Sequence, residues 1–245
     1  MKDKEFEKRN RTNINLMSKD LGLKRLSKNW IFNCSKYEYS YHFSWLGIPI
    51  IQFPQDIIAV QELIWKVKPD LIIETGIARG GSLIFSASIL ELLGHGKVIG
   101  IDIDIRKHNK KAIELHPLHK RIIMFEGSSI DETIAKKVYR IAKGKKRVLV
   151  FLDSNHTYDH VSKELNLYSP LVKKGSYVVV FDTLIEEIPR KFYKDFIKGP
   201  WNKKDNPKTA VREFLKSNNR FKIDHQIENK LLVTVAPSGY LKCVK

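Results

Sequence analysis

Residues 71–102 read LIIETGIARGGSLIFSASILELLGHGKVIGID, and the order of patterns in this stretch decides the fold class. The apolar run within residues 71–75 predicts a short buried strand, and the glycines that follow it predict a sharp turn. Residues 82–93 predict a buried helix that ends before Gly94, a residue type common just after a helix. Residues 97–102 predict a second strand. A strand, a helix and a strand in this order favour a parallel sheet.

The same alternation continues along the chain. Helices are predicted at residues 53–67, 106–115, 129–142, within 157–168, and 205–215. Further strands are predicted at residues 121–127, 148–152 and 176–182, with two closing strands at FKIDH (221–225) and LLVTVAP (231–237). Uniformly apolar strands that alternate with helices are typical of sheets covered on both faces. The sequence therefore predicts an α/β fold, with a doubly wound, mostly parallel seven-stranded sheet.

The chain is strongly basic, with a net charge of +17 from 44 Lys and Arg against 27 Asp and Glu. The basic residues are scattered, and no basic stripe is interleaved with aromatic residues, so nucleic acid is not an expected partner. Peripheral contact with an anionic membrane surface is compatible with this charge. A homo-oligomer is compatible with the sequence as well.

Several features of the sequence predict a cytoplasmic protein, either free or peripheral at the inner membrane surface. No apolar run approaches the roughly 20 residues that a membrane-spanning helix needs. The first twenty residues are mixed in charge and lack the apolar core of a secretory signal. Cys34 and Cys243 lie near opposite ends of the chain, as expected of free thiols in a reducing compartment.

Acidic residues lie at the carboxyl ends of four of the five predicted parallel strands. They are Glu74, Asp102, Asp153 and Asp182. Ligands of open parallel sheets bind beyond the carboxyl ends of the strands, so these side chains are candidates for a common site. The glycine-rich turn after the first strand is not the G-x-G-x-x-G fingerprint, but an acidic residue after the second strand suits a ribose diol. Together these features indicate an adenosine-type cofactor.

Three longer stretches resemble one known family. They are SWLGIPIIQFPQDIIAVQELIWKVKPDLIIETGIARGGSLIFSA, LDSNHTYDHVSKELNLYSPLVKKGSYVVVFDT and APSGYLK. Over roughly residues 40–240 the chain is similar to the cephalosporin hydroxylase and rhamnosyl O-methyltransferase family. The resemblance implies a Rossmann-like class I methyltransferase domain at residues 51–245 that uses S-adenosylmethionine, preceded by an extension or cap at residues 1–50.

The resemblance also implies roles for individual residues. It assigns cofactor binding to Glu74, Gly76, Ala78, Gly80, Gly81, Ser82, Asp102, Ser129 and Asp153. Of these, Asp102 is expected to bind the ribose, and Ser129 to lie beside the adenine. A divalent cation, Mg²⁺, is expected at Asp153 and Asp182. A further acidic ligand that is usual in the family is replaced by Phe181, for which Glu186 or Glu187 are candidate substitutes.

His156 follows Asp153 by three residues, the offset at which related metal-dependent O-methyltransferases place their general base. We therefore expect His156 and Asp153 to be catalytic, with the imidazole taking the proton of the acceptor hydroxyl. The alternative is that His156 caps a helix that begins near Thr157. The expected reaction is methylation of a hydroxyl on a sugar, as part of a small molecule, a glycolipid or a polysaccharide. Aromatic residues that could stack on the sugar or belong to the core are Tyr37, Tyr39, Trp45, Tyr158 and Trp201.

Two competing functions remain open at this point. A hydroxylase with non-haem iron would need two histidines and one carboxylate, and the sequence offers no H-x-D pair. A binding protein that keeps the fold but has lost its catalytic site would explain Phe181 and the basic charge.

Overall fold

Five parallel strands form the centre of a mostly parallel sheet. The structure, a computed structural model, describes residues 3–196 and 199–245. The strands in this part of the chain are β1 (Phe43–Trp45), β2 (Ile48–Ile50), β3 (Leu71–Thr75), β4 (Lys97–Asp102), β5 (Ile122–Glu126), β6 (Val148–Leu152), β7 (Tyr177–Val180), β8 (Phe221–Ile223) and β9 (Tyr240–Cys243). The main sheet has seven strands in the order β5-β4-β3-β6-β7-β9-β8, and β9 runs antiparallel to both of its neighbours.

Helices cover both faces of this sheet. They are α1 (Lys4–Met17), α2 (Leu21–Cys34), α3 (Pro54–Val67), α4 (Gly81–Leu92), α5 (Lys107–Glu114), α6 (Glu132–Ala142), α7 (Tyr158–Tyr168), α8 (Tyr193–Phe196), α9 (Pro207–Ser217) and α10 (His225–Leu231). Side chains that alternate along a strand point to opposite faces, so Ile72 packs with α3 and α4 while Ile73 packs with α6, α7 and α9. The predicted doubly wound, seven-stranded sheet is confirmed.

The closing strand lies later in the chain than the sequence predicted. Residues 231–237 do not form a strand, and the sheet is instead completed by β9, which pairs with β7. Buried Asp56 of α3 accepts hydrogen bonds from Thr234 Oγ1 and, at 2.9 Å, from the backbone N–H of Val235. The apolar run is therefore held against α3, where its backbone cannot join the ladder of the sheet.

Residues 3–50 form α1, α2 and the β1–β2 hairpin. The hairpin packs against the turn of residues 76–81 that follows β3, called the glycine turn below. A Cβ atom at Gly81 would come within 2.3 Å of the backbone oxygen of Pro49. A domain boundary near residue 50 stays a prediction, and residues 1–2 of the expected extension lie outside the described residues. Among the helices of residues 3–196 and 199–245, none combines the length and the hydropathy that a membrane span requires.

Candidate functional site

The turn after β3 and the loop after β6 touch each other at the carboxyl end of the sheet. Gly76 has a φ of +88°, and a Cβ atom there would lie 2.0 Å from the backbone oxygen of Asp153. Only glycine fits both this backbone conformation and this close approach. The N–H of Gly76 donates to Ile101 O at 2.8 Å, and the N–H of Asp153 donates to Thr75 O at 3.0 Å. These bonds fix the ends of β3, β4 and β6 relative to one another.

Asp102, the predicted ribose ligand, holds the glycine turn in place. Its Oδ2 accepts from the N–H groups of Ile77 at 2.8 Å and Ala78 at 3.2 Å, and its Oδ1 accepts from the N–H of Asp104 at 3.2 Å. Ala78 has a φ of +46°, an unusual conformation for alanine that the turn imposes. An ionised carboxylate offers about four acceptor positions, so Asp102 retains acceptor capacity for a ligand.

Glu74 and Ser82 lie below this turn and face each other. The hydroxyl of Ser82 donates to Glu74 Oε1. Burial raises the pKa of Glu74 to about 7. Both residues line a small cavity of about 20 Å³ together with Asp153 and Phe181. The sequence placed Glu74, Ser82 and Asp153 in one site, and the structure brings them together.

Ser129, expected beside the adenine, has its hydroxyl committed elsewhere. Its Oγ donates to Glu164 Oε1 at 2.6 Å and lies 2.9 Å from His160 Nε2. Ser154 makes a second hydrogen bond to Glu164 Oε1 at 2.7 Å. Ser129 and Glu164 are buried. This network connects the end of β5 to α7, and it had no signal in the sequence because its members come from three separate segments.

Asp153, His156 and Asp182 form a cluster of potential metal ligands. One ligand atom from each of the three residues lies within 4.8 Å of the others, and His156 Nε2 is 3.2 Å from Asp182 Oδ2. Asp182 has a φ of +54°, so the chain adopts a strained conformation where β7 ends. Within the described ranges no other such cluster occurs, and this one lacks the second histidine that a non-haem iron triad requires.

The electrostatics of the cluster favour a bound cation. Burial raises the pKa of Asp153 well above its ordinary value, and the nearby carboxylates of Asp182 and Glu74 raise it further. Like charges held together in this way are stabilised by a cation that neutralises them. Carboxylate oxygens with one imidazole are a donor set that divalent cations accept. The residues present therefore fit a divalent metal ion.

His156 does not cap α7. Asn155 Oδ1 accepts from the N–H of Thr157 at 3.0 Å, and Asp205 Oδ1 accepts from the N–H of Tyr158 at 2.6 Å. The ring of His156 instead faces Asp182 and packs edge-on against Trp201, with 4.8 Å between ring centroids. The capping alternative is wrong, because Asp205 accepts from the first N–H of α7 and the imidazole contacts Asp182 and Trp201 instead.

The missing acidic ligand has no substitute from the loop that follows β7. Phe181 is 4% exposed, and its ring packs 6.4 Å from that of Phe151 in the core. Glu186 pairs with Arg212. Although burial acts to raise it, hydrogen bonds from Lys208 and Lys28 hold the pKa of Glu187 below its ordinary value. Glu186 and Glu187 are thus engaged in ion pairs outside the cluster.

A cleft of about 390 Å³ opens beside the cluster. Asp153, His156 and Asp182 form part of its wall, and Tyr39, Tyr41 and Trp201 line it. The other aromatic candidates lie elsewhere. Trp45 packs 4.9 Å from Phe85, Tyr37 is 65% exposed, and Tyr158 packs against the core on the α6–α7 face.

Gln52 is a further site residue that sequence reasoning missed. Its Nε2 donates to Asp153 Oδ2 at 3.2 Å, and its side chain lines both the cleft and the cavity at the glycine turn. No signal in the sequence marks it, because the contact joins residues 101 positions apart.

A sequence profile of the family described as Rhamnosyl O-methyltransferase/CmcI matches residues 37–244. The chain belongs to this family. It is 32% identical over 203 residues to the rhamnosyl O-methyltransferase of Mycobacterium tuberculosis, which covers 81% of this chain and 77% of the relative. The corresponding protein of Mycobacterium leprae is 29% identical over 204 residues, with 81% and 82% covered. The predicted family and enzyme class, an S-adenosylmethionine-dependent O-methyltransferase, are thereby confirmed.

A solved structure of CmcI with Mg and SAM has the same fold. It superimposes with a TM-score of 0.57 at 18% identity, covering 84% of this chain and 78% of that chain. At this identity the likeness supports the class I methyltransferase fold and no residue roles.

Proposed function

We propose that this methyltransferase transfers the methyl group of S-adenosylmethionine to a sugar hydroxyl, with Mg²⁺ held by Asp153 and Asp182 and with His156 as general base. The observation that carries the proposal is the cluster of these three residues beside the glycine turn. A methyl donor bound at the turn and an acceptor bound in the cleft would meet at this cluster.

The proposed cofactor site extends along the carboxyl ends of β3, β4 and β5. It comprises Glu74, Gly76, Ala78, Gly80, Gly81, Ser82, Asp102, Ser129 and Asp153. In support, the glycine turn lines a cavity with Asp153. Asp102, the last residue of β4, accepts hydrogen bonds from the N–H groups of that turn, and a carboxylate at this point of the fold suits a ribose diol. Ser129 is proposed to shape the adenine side through packing, because its hydroxyl is bound to Glu164.

The residues of the cluster divide the chemistry between them. When bound, a divalent cation supplies Lewis-acid chemistry that makes a neighbouring hydroxyl easier to deprotonate. Asp153 and Asp182 would bind this cation through their carboxylate oxygens. Asp182, 3.2 Å from His156 Nε2, also orients the ring at the wall of the cleft, from where the imidazole accepts the proton of the acceptor hydroxyl.

A second role for His156 follows from the same distances. Since Phe181 removes one acidic ligand, the imidazole nitrogen can complete the cation site in its place. The two roles predict different effects of the substitution His156→Ala on metal affinity. A base that is not a ligand can be replaced by alanine with little change in the Kd for Mn²⁺, whereas loss of a ligand weakens binding strongly.

The proposed acceptor is a glycan or glycolipid sugar. The curated relatives are named rhamnosyl O-methyltransferases, and Tyr39, Tyr41 and Trp201 supply aromatic faces to the cleft. Such faces are suited to the apolar side of a sugar ring, while the cluster receives its hydroxyl.

A screen of lipid-linked and activated sugars with S-adenosylmethionine tests this function. Mass spectrometry should detect the gain of one methylene mass in a sugar, and EDTA or the substitution Asp153→Asn should abolish it. Glu186→Gln is the matched control, because it removes a carboxylate outside the cluster. Full activity in EDTA would remove the metal from the proposal. A protein that binds neither S-adenosylmethionine nor its product in calorimetry would instead be a binding protein with a lost site.

Peripheral binding to an anionic membrane is proposed for the N-terminal helices. Leu16, Leu21 and Leu26 are each more than 60% exposed, and Lys24 and Arg25 lie beside them in the sequence. Exposed apolar side chains next to basic ones suit an anionic lipid surface. Cosedimentation with vesicles rich in phosphatidylserine should fall when Leu21 and Leu26 are changed to serine, and binding equal to that of the unchanged protein would refute this contact.

A further inference from the structure

Gln52 lies where the β1–β2 hairpin enters the cofactor site. It follows β2 by two residues, is 9% exposed, and reaches the carboxyl end of the sheet. Its Nε2 donates to Asp153 Oδ2 at 3.2 Å. The carboxylate accepts from the nitrogen of the amide, so the other end of the amide, Oε1, points away from Asp153.

Gln52 Oε1 is buried, and among the residues that the structure describes no group donates a hydrogen bond to it. Buried polar atoms in native proteins nearly always have a partner, since an unsatisfied acceptor destabilises the fold. A buried acceptor in a ligand-binding wall is therefore expected to receive its donor from the ligand.

The cavity at the glycine turn has one side rich in acceptors and one side rich in donors. Gln52 and Asp153 form the acceptor side. Arg79 and the first turn of α4, whose N–H groups lack acceptors within the helix, form the donor side. An α-amino acid group carries an ammonium and a carboxylate on one carbon, and it complements both sides of this cavity of about 40 Å³.

We propose that Gln52 Oε1 accepts a hydrogen bond from the ammonium group of the methionine part of the cofactor, and that Asp153 fixes the orientation of the amide. This inference rests on the proposed function and adds a residue to its cofactor site. In this role Gln52 selects ligands that carry an amino group, and it joins the N-terminal hairpin to cofactor binding.

A buried water molecule is the competing partner of Oε1. Gln52 also lines the cavity of about 20 Å³ that is lined by Glu74 and Ser82, and a cavity of that volume is large enough for one water. A water-bound Gln52 would influence binding of every cofactor analogue equally, because its role would be structural. The ammonium proposal requires an effect that depends on the amino group of the ligand.

Calorimetry with two ligands separates these cases. The probes are S-adenosylhomocysteine and its analogue in which hydrogen replaces the amino group, each titrated into the wild-type protein, Gln52→Leu and Gln52→Ala. Hydrogen bonds to charged groups justify an expected loss of about tenfold to a hundredfold in affinity of either variant for S-adenosylhomocysteine. Affinity for the deaminated analogue should stay within about twofold of wild type. Gln55→Ala is the matched control, since Gln55 Oε1 is also buried without a partner among the described residues but lines neither cavity.

Three results would overturn the inference. The variants could weaken both ligands equally, they could weaken neither, or the wild-type protein could bind the two ligands with the same affinity. The last comparison needs no variant, so it can refute the inference even if neither variant folds. Absence of any binding of S-adenosylhomocysteine to the wild-type protein would refute the proposed function itself, and the inference with it.

Discussion

His156 and His160 lie four residues apart, and each faces a carboxylate at a similar distance. The Nε2 atom of His156 is 3.2 Å from Asp182, and that of His160 is 3.5 Å from Glu164. The two histidine side chains are almost equally exposed, at 17% and 16%, but the carboxylate of Asp182 is 35% exposed whereas that of Glu164 is fully buried. Burial of the histidine alone therefore does not distinguish the two pairs.

What distinguishes them is the number of partners. Glu164 Oε1 accepts from Ser129 and Ser154, both of which also lie within hydrogen-bond distance of His160. His156 and Asp182 are joined by a second carboxylate, Asp153, and line the cleft. Hydrogen bonds among buried side chains stabilise a fold, while a cluster with excess negative charge at a cleft is suited to bind and react.

The largest expected effect comes from comparing alanine variants of the two histidines. His156→Ala should lower turnover by ~10²–10⁴, the usual contribution of a positioned base, with little change in the melting temperature. His160→Ala should chiefly lower the melting temperature, because it removes an imidazole from the group of hydrogen-bonded side chains around buried Glu164, at a cost of about 1–3 kcal/mol. Turnover measured as S-adenosylhomocysteine released, and thermal unfolding of both variants, check this. Equal losses of turnover in the two variants would erase the distinction between the pairs.

Glu74 extends the comparison to a buried carboxylate with a single hydroxyl donor, Ser82. Its pKa is raised to about 7, so the folded state holds the proton more strongly than the unfolded state. The stability that this proton supplies is complete below the ordinary pKa and is lost as the pH rises through about 7. Glu74→Gln should thus be more stable than wild type by about 2–3 kcal/mol at pH 8.5 and nearly equal to it at pH 5.

Urea unfolding at the two pH values measures this difference. Glu132→Gln is the control, because the side chain of Glu132 is 84% exposed and should show no such gain. A Glu74→Gln variant less stable than wild type at pH 8.5 would mean that the carboxylate is stabilised in its ionised form.

The positions of Asp153 and Asp182 could be predicted from the sequence, whereas the contacts around them could not. Parallel strands bring their carboxyl ends to one edge of the sheet. The alternation of strands and helices along the sequence is therefore enough to place the polar residues that follow apolar runs near one another. Lys28 forms an ion pair with Glu187, and Gln52 donates a hydrogen bond to Asp153. In both pairs the two residues are more than a hundred positions apart in the sequence. No local pattern encodes such contacts.

The wrong strand at residues 231–237 has a related cause. The run is apolar enough for a strand, but its backbone is held by Asp56, which lies far away in the sequence. The apolar composition indicated that the segment packs against the rest of the protein. The hydrogen bonds to Asp56 place it beside α3 and not in the sheet.

Cation binding should stabilise the cluster of Asp153, His156 and Asp182 and leave the His160–Glu164 pair unchanged. At a hundredfold excess of Mn²⁺ or Mg²⁺ over its Kd, the linkage term is about 2.7 kcal/mol, which raises the melting temperature by roughly 5–10 °C. EDTA should reverse the shift, and Asp182→Asn should remove it, whereas Glu186→Gln should retain it. A shift that survives in Asp182→Asn would place the cation outside the cluster.

The smallest effect concerns Asp205, which holds the start of α7 between the two histidines. Its Oδ1 accepts from the N–H of Tyr158 at 2.6 Å, a contact comparable to a helix cap. Asp205→Ala should therefore cost about 1 kcal/mol and lower the melting temperature by roughly 2–4 °C. Since His156 is also held by Asp182 and Trp201, turnover should fall much less than in His156→Ala. If Asp205→Ala instead lost as much turnover as His156→Ala, the helix start rather than Asp182 would be what positions the imidazole.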